Sequence, residues 1–406
     1  MKHVVYVSYD GLTDPLGRSQ ILPYLIGLAG KGHRITLVSA EKPERYRQSG
    51  QRTRQQLQQS GVHWLPVRYQ AAPKGLSTLL TLFRLYRQVA SCCRNTATDL
   101  IHCRSYLPAL IGSMLKKKHG IPFVFDMKGF WVDERVDGSI WPMQHWPYRL
   151  AFRYFKKKER SLLAEADYVV TVTHKAKEII LSWQIPRLSA ERIGVIPSSA
   201  DPDHFRPCLD AAERLRQRQD MGIGSEEKVL VYCGSLRTWY LPAEMLLFFR
   251  KLLQQQPFWK FLIITTESTS YIEELARKQQ VPVERLMVVS ADYDQVPHWL
   301  ELADLSLFFI KPCYSKQASS PTKLSESMSM GLPVVCNDIG DVRRIVECCK
   351  AGLVVHQCNE NEFEQVIPKL EALMHADKHS IRQCALNHLN TFTAIEQYHQ
   401  IYQSIA

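Results

Sequence analysis

The sequence predicts an α/β chain made of two consecutive doubly wound parallel sheets, on three observations. Short apolar runs alternate with longer stretches of helical periodicity, the pattern of a parallel sheet wrapped by helices. The rhythm occurs twice, in halves of nearly equal size, with a Pro-, Asp- and Ser-rich turn region at 197–207 between them. At 406 residues the chain exceeds one ordinary domain. Its 45% hydrophobic and 22% charged residues, near globular averages, exclude a disordered, collagenous or polytopic membrane chain.

In the first half, apolar runs at 3–7, 34–39, 100–102, 122–126, 168–172 and 194–196 predict strands. Residues 20–31, 78–92 and 146–165 between them carry apolar side chains at helical spacing. The second half gives strands at 228–233, 261–265, 286–290, 305–309, 333–336 and 352–355. The expected plan is a first domain at 1–200, a linker at 201–226, a second domain at 227–385, and a C-terminal helix at 386–406 returning to the first domain. Ligands of open parallel sheets bind beyond the carboxyl ends of the strands, so two such sheets facing each other create a cleft lined by loops of both.

Charge is unevenly distributed. Residues 1–200 hold 30 Lys and Arg against 14 Asp and Glu, whereas 201–406 hold 21 against 26. A basic first half points to an anionic partner, and without any nucleic-acid motif an acidic membrane surface is the expected one. Lys156, Lys157 and Lys158, with Arg153 and Arg160 nearby and Phe152 and Phe155 as apolar anchors, are the expected membrane contacts. No run reaches the roughly 18 to 20 apolar residues that span a bilayer, so contact is expected to be peripheral, on the inner face of a membrane. The eleven scattered cysteines, with no C-x-x-C, read as free thiols of a reducing cytosol and not as a zinc site. Asp201/Asp203 and Asp292/Asp294 lack supporting ligands, and no metal is expected.

The sharpest local feature is 319–333, SSPTKLSESMSMGLP. Ser320 suits an N-cap, Pro321 the first helical position, and Gly331 with Pro333 a helix end. The free N–H groups and positive dipole end of such a helix make an anion site. Lys323 adds a full charge there, and Ser319, Ser320 and Thr322 add hydroxyls. Glu326, one turn below Thr322, suits a pair of sugar hydroxyls. An ordinary capped surface helix is the competing reading.

Three loops at strand ends add candidates. In 10–20, Gly17 permits close backbone approach beside Arg18 and Ser19. In 232–240, Gly234 ends a strand and Arg237 supplies a cation, while Trp239 and Tyr240 either stack or pack. In 125–135, Asp126, Lys128, Asp133, Glu134 and Arg135 crowd the end of a buried strand.

In order and content these motifs resemble glycosyltransferase family 4, retaining enzymes of the GT-B fold with two Rossmann-like domains. V-I-P-S-S-A-D at 195–201 with F-R-P at 205–207 looks like the family's V-I-P-N-G-V-D segment, and A-D-Y-V at 166–169 like its A-D-x-V strand. Glu326, Met328, Gly331, Pro333, Val334 and Val335 follow its E-x-M-x-x-G-x-P-V-V. The resemblance implies that Glu326 is the second Glu of E-x7-E and holds a nucleotide ribose, and that Gly17 belongs to the glycine loop near the donor diphosphate. Departures accompany it: Ala318 stands at the first Glu, Ser235 and Tyr240 replace the basic pair of G-R-L-x-x-x-K, and Asp126 and Lys128 stand near the usual histidine. Arg237 and Lys323 are the expected catalytic cations, and Gly17, Gly234, Ser319, Ser320, Thr322 and Glu326 the expected donor residues. Asp126, Lys128 and Arg135 are expected on the acceptor side. The implied activity takes a sugar from a nucleoside diphosphate sugar, UDP-type favoured, to a lipid-linked or saccharide acceptor with no further cofactor. A nucleotide-sugar epimerase of the same architecture and a non-catalytic partner subunit are the alternatives.

Overall fold

The computed structural model describes residues 1–73 and 75–405. Two compact units emerge. The first contains a seven-stranded parallel sheet of β1 (His3–Ser8), β2 (Arg34–Glu41), β3 (His63–Arg68), β4 (Leu100–Arg104), β5 (Phe123–Asp126), β6 (Tyr168–Thr171) and β7 (Ile193–Val195), in the order β3-β2-β1-β4-β5-β6-β7. The second contains β8 (Lys228–Cys233), β9 (Trp259–Ile264), β10 (Leu286–Val289), β11 (Leu305–Phe308), β12 (Val334–Asn337) and β13 (Gly352–Val355), in the order β10-β9-β8-β11-β12-β13. In each, the order reverses beside the first strand, the doubly wound arrangement the alternating runs predict.

Strand pleating explains the continuous apolar runs. Val5 and Val7 of β1 face one helical layer, Val4 and Tyr6 the other, so no position is free to be polar. The second sheet is similar: Leu230 and Tyr232 of β8 enter one core, Val229 and Val231 the other. Each side chain so buried contributes roughly 1.5–3 kcal/mol.

Several expectations need correction. β3 was not expected, because Pro66 interrupts its apolar run; it is an edge strand, where a missing N–H is tolerated. The expected helix at 20–31 is two, Pro15–Gln20 and Leu22–Gly30, because Pro23 suits only a first turn. The 201–226 stretch is no bare linker: it carries the helix Ala211–Asp220, whose Arg214 and Arg218 reach Asp304 at 2.7 and 3.0 Å. Residues Tyr314–Ser319, expected in the second domain, belong to the first unit, where Lys316 meets Glu134 at 2.7 Å and the Ser315 N–H donates to Asp137 at 2.9 Å. The final helix, Thr391–Ser404, also lies in the first unit and packs on Leu22–Gly30. Finally, the thiols are not all free: Cys349 and Cys384 form a disulfide, their Cα atoms 5.7 Å apart, a proximity that a 35-residue separation does not reveal in sequence.

Candidate functional site

The candidate residues of the second unit collect at the carboxyl ends of its strands. The helix Thr322–Ser329 starts one residue later than expected, with Pro321 at the N-cap and no side chain capping it. Ser320 is occupied otherwise: its hydroxyl accepts from the Ser198 N–H at 3.1 Å, joining the anion-site loop to the V-I-P-S-S-A-D segment. The first N–H groups are thus left without a side-chain acceptor, as suits an incoming anion. Ser319 lies across the boundary, in the first unit.

Lys323 is 7% exposed, unusual for a lysine. Its Nζ lies 3.6 Å from the centroid of the Tyr240 ring and 5.1 Å from that of Tyr232. A Cβ at Gly234, where φ is +129°, would meet that Nζ at 3.1 Å, so glycine keeps the approach open. Backbone bonds fix the Tyr240 loop: the Leu241 N–H donates to Phe309 O at 3.1 Å and the Lys311 N–H to Trp239 O at 2.8 Å. Tyr240, which in sequence only replaces a family lysine, thus supplies the aromatic face under the substitute cation. Burial pushes the Glu326 carboxyl up to about 7, with Lys323 and the Thr322 hydroxyl partly opposing. Arg237 is not gathered with these groups. Its Nε binds Glu267 at 2.6 Å, its guanidinium lies over Tyr271, and it is 63% exposed.

In the first unit the charged strand ends form a buried network. Asp126 Oδ2 meets Lys128 Nζ at 3.0 Å, the Tyr398 hydroxyl at 3.1 Å and His102 Nε2 at 3.3 Å, and the Tyr402 hydroxyl meets His102 Nδ1 at 2.7 Å. Burial alone would raise the Asp126 pKa; Lys128, His102 and Arg104 outweigh it and hold the carboxylate well below its usual range. Burial pulls Lys128 down to about 8, against Asp126 and with Arg104. Asp126 Oδ1 and Arg104 Nε are buried without a hydrogen-bond partner among the described residues, although Arg104 Nε forms an ion pair with Asp10 at 4.0 Å. Burial lowers the pKa of Arg135, whose guanidinium covers the Trp131 ring and senses Glu134, Asp10 and Tyr9. Asp126, Lys128 and Arg135 thus converge, with Arg104 and Asp10, around the ends of β1, β4 and β5.

Gly17 is required, but its close neighbour is the chain itself: a Cβ there would lie 2.2 Å from Gly11 O. The 10–20 loop is held by buried Glu41, which accepts from the N–H groups of Leu12 and Thr13 at 2.7 and 3.1 Å and from the Thr13 hydroxyl at 2.6 Å. Glu41 and Arg104 escaped the sequence reading, although each ends an apolar strand with a charge, as Asp126 does. Asn337 closes β12 similarly, binding both backbone groups of Ile310 at 2.7 and 2.8 Å. Tyr398 had no local signal at all. The lysine run is corrected too: Lys156 turns inward to Asp133 at 2.9 Å and to Glu159, while Lys157 alone of the three is exposed. Successive helical residues point about 100° apart, so the three share no face.

Residues 20–198 match the family model of the glycosyl transferase 4-like domain, and residues 213–383 that of glycosyl transferases group 1. The chain belongs to the family 4 glycosyltransferases. Its fold is GT-B, as in the crystal structure of a glycosyltransferase from Rickettsia africae ESF-5, with a TM-score of 0.73 and 15% identity over 100% of this chain and 98% of that one. Anabaena Alr3699/HepE, solved in complex with UDP-glucose, has a TM-score of 0.68 and 16% identity over 100% of both chains. TuaC of Bacillus subtilis (strain 168), named as a glycosyltransferase of teichuronic acid biosynthesis, is 24% identical over 253 residues, 61% of this glycosyltransferase and 55% of TuaC. The chain matches the first curated relatives over 55–62% of their lengths, less than two thirds. Among the described residues no helix is long and apolar enough to cross a membrane.

Proposed function

We propose that this glycosyltransferase moves a sugar from a nucleoside diphosphate sugar, UDP-type favoured, to a hydroxyl of a lipid-linked or saccharide acceptor with retention of anomeric configuration. Its setting is cell-surface polysaccharide or glycolipid synthesis, at the cytoplasmic face of a membrane. The carrying observation is Lys323, a buried cation on an aromatic face at an uncapped helix N-terminus, with Glu326 one turn below. UDP-glucose in Anabaena HepE and teichuronic acid biosynthesis in the name of TuaC support donor class and setting.

The diphosphate takes the place of the missing cap. Its oxygens accept from the first helical N–H groups and from Lys323, while Glu326 accepts from the ribose hydroxyls. As the bond from C1 to the diphosphate oxygen breaks, charge develops where these donors already point, so they bind the transition state more tightly than the donor sugar. The acceptor oxygen attacks C1 from the face the leaving group vacates, and its proton passes to a diphosphate oxygen. No protein nucleophile is needed. Arg237 retains a share only if it releases Glu267. Asp126, Lys128 and Arg135 serve the acceptor.

Ligands that bind only the folded state raise its stability. A thermal-shift screen with UDP, GDP, ADP and their sugar conjugates is expected to give a selective shift with UDP compounds, lost in Glu326→Ala. No shift with any nucleotide would favour the non-catalytic partner reading, and donor conversion without an acceptor the epimerase.

A further inference from the structure

The V-I-P-S-S-A-D segment with its following F-R-P has no chemical part in the site, yet the Lys323 helix is fastened to it at both ends within the second unit. At the start, the Ser198 N–H donates to the Ser320 hydroxyl, two residues before Thr322. At the other end stands Arg382, on the helix Lys378–His388, whose guanidinium gathers three backbone carbonyls. Its Nη1 donates to Phe205 O at 2.6 Å and to Ser329 O, and its Nη2 to Pro202 O at 3.1 Å. Ser329 is the last residue of the Lys323 helix, where carbonyls lack intrahelical partners and a cation is favoured.

The turn that presents two of these carbonyls is fixed by its own side chains. Asp201 Oδ1 accepts from the N–H groups of Asp203 and His204 at 3.0 and 3.4 Å, and the Phe205 N–H donates to Asp201 O at 2.8 Å. Phe205 is buried in one cluster with Met330 and Leu332, the residues that follow the Lys323 helix. The helix carrying Arg382 lies close as well: a Cβ at Gly331, where φ is +72°, would meet Lys378 O at 2.8 Å. That helix has a second fastening, the disulfide from Cys384 to Cys349, which does not involve Arg382. The Lys323 helix has eight residues and is about 12 Å long, so a shift at its end is carried to its start.

We propose that Arg382 is a positioning residue for donor binding: it clamps the end of the Lys323 helix to the Asp201–Phe205 turn and so holds the first N–H groups and Lys323 where the diphosphate meets them. An anion site made of backbone N–H groups works through their direction, and a helix this short does not hold its own place in water. A cation serving only to close the helix would bind Ser329 O alone, whereas Arg382 also binds two carbonyls of the 198–207 segment. That segment is thereby the base on which the donor helix is mounted. Arg382 acts through the helix and not on the donor itself. The inference rests on the reading of the Lys323 helix as the diphosphate site.

The test is calorimetric titration of the full chain with UDP and with uridine, which differ only in the diphosphate. Arg382→Met is expected to lower the preference for UDP about tenfold while uridine affinity changes less than about threefold. Arg382→Lys keeps the charge but not the planar fork, and is expected to lose about threefold of the preference. Asp201→Ala, which opens the turn, should lower it about fivefold, and Arg382→Met/Asp201→Ala should lose no more than Arg382→Met, because both act through one clamp. Cys384→Ser, which cuts the disulfide of the same helix, should change it less than about twofold. Should Arg382→Met fail to fold, Arg382→Lys and Asp201→Ala carry the same comparison. Equal loss of UDP and uridine affinity overturns the proposal, since it would make Arg382 a residue of stability alone. So do additive losses in the double variant, and a loss in Cys384→Ser as large as in Arg382→Met. A wild-type preference that survives in the Arg382 and Asp201 variants overturns this inference alone, whereas no preference in wild type overturns the diphosphate reading and this inference with it.

Discussion

Glu326 ties the candidate site to pH. Its carboxyl, pushed up to about 7 by burial, is part protonated near neutrality. Only the ionised form accepts from two ribose hydroxyls, so UDP affinity is expected to rise between pH 6 and 8 with proton release, and Glu326→Gln to bind weakly with no such rise. Calorimetric titration in two buffers of different ionisation heat measures both. For stability the sign is opposite: the folded pKa exceeds the unfolded value of 4.5, so the contribution is full below 4.5 and lost as pH rises through about 7. Melting temperatures at pH 5 and 8 should differ less in Glu326→Gln than in wild type. Lys323 and Glu326 were legible in sequence because helix periodicity and a nearby stop place them on one short helix. The part of Tyr240 was not legible, because a cation over a ring joins residues 83 positions apart.

At the scale of elements, the 10–20 loop and the Pro15–Gln20 helix act as one packed piece. Gly17→Ala would put a methyl group 2.2 Å from Gly11 O, and backbone cannot yield as a flexible side chain can. The substitution is expected to destabilise the first unit by about 1–3 kcal/mol, read as a lower urea midpoint. An unchanged midpoint would show that the loop relaxes. Twelve of the thirteen strands, all but β3, were readable as apolar runs, because strands covered on both faces leave no polar position. Pro66 hid β3, and Pro23 hid the break at Ile21, since a proline's effect depends on whether the chain around it is an edge or a first turn. The anion-site helix was misplaced by one residue because Ser320 has a better use, holding Ser198.

At the scale of the whole chain, the first unit is closed by its last helix. Tyr398 and Tyr402 complete the network around Asp126 and His102, and Ala394, Ile395 and Ile401 join the core beside Leu22–Gly30. Removing residues 391–406 is expected to expose that core and to take the Tyr402 hydroxyl from buried His102 and the Tyr398 hydroxyl from buried Asp126, giving a separate unfolding transition at lower temperature by scanning calorimetry. Fold class, the two-sheet plan and the charge asymmetry were legible from alternation and counting. The return of 314–319 to the first unit was not, being settled by partners at Glu134 and Asp137 nearly two hundred residues upstream. The central claim is that the Lys323 helix binds a diphosphate, and calorimetric titration with UDP and with uridine, in wild type and in Lys323→Ala, tests it most directly. The account predicts that wild type prefers UDP to uridine by a hundredfold or more and that Lys323→Ala loses at least tenfold of that preference, about 1.4 kcal/mol. Equal affinity for UDP and uridine in wild type, or an undiminished preference in Lys323→Ala, would contradict it.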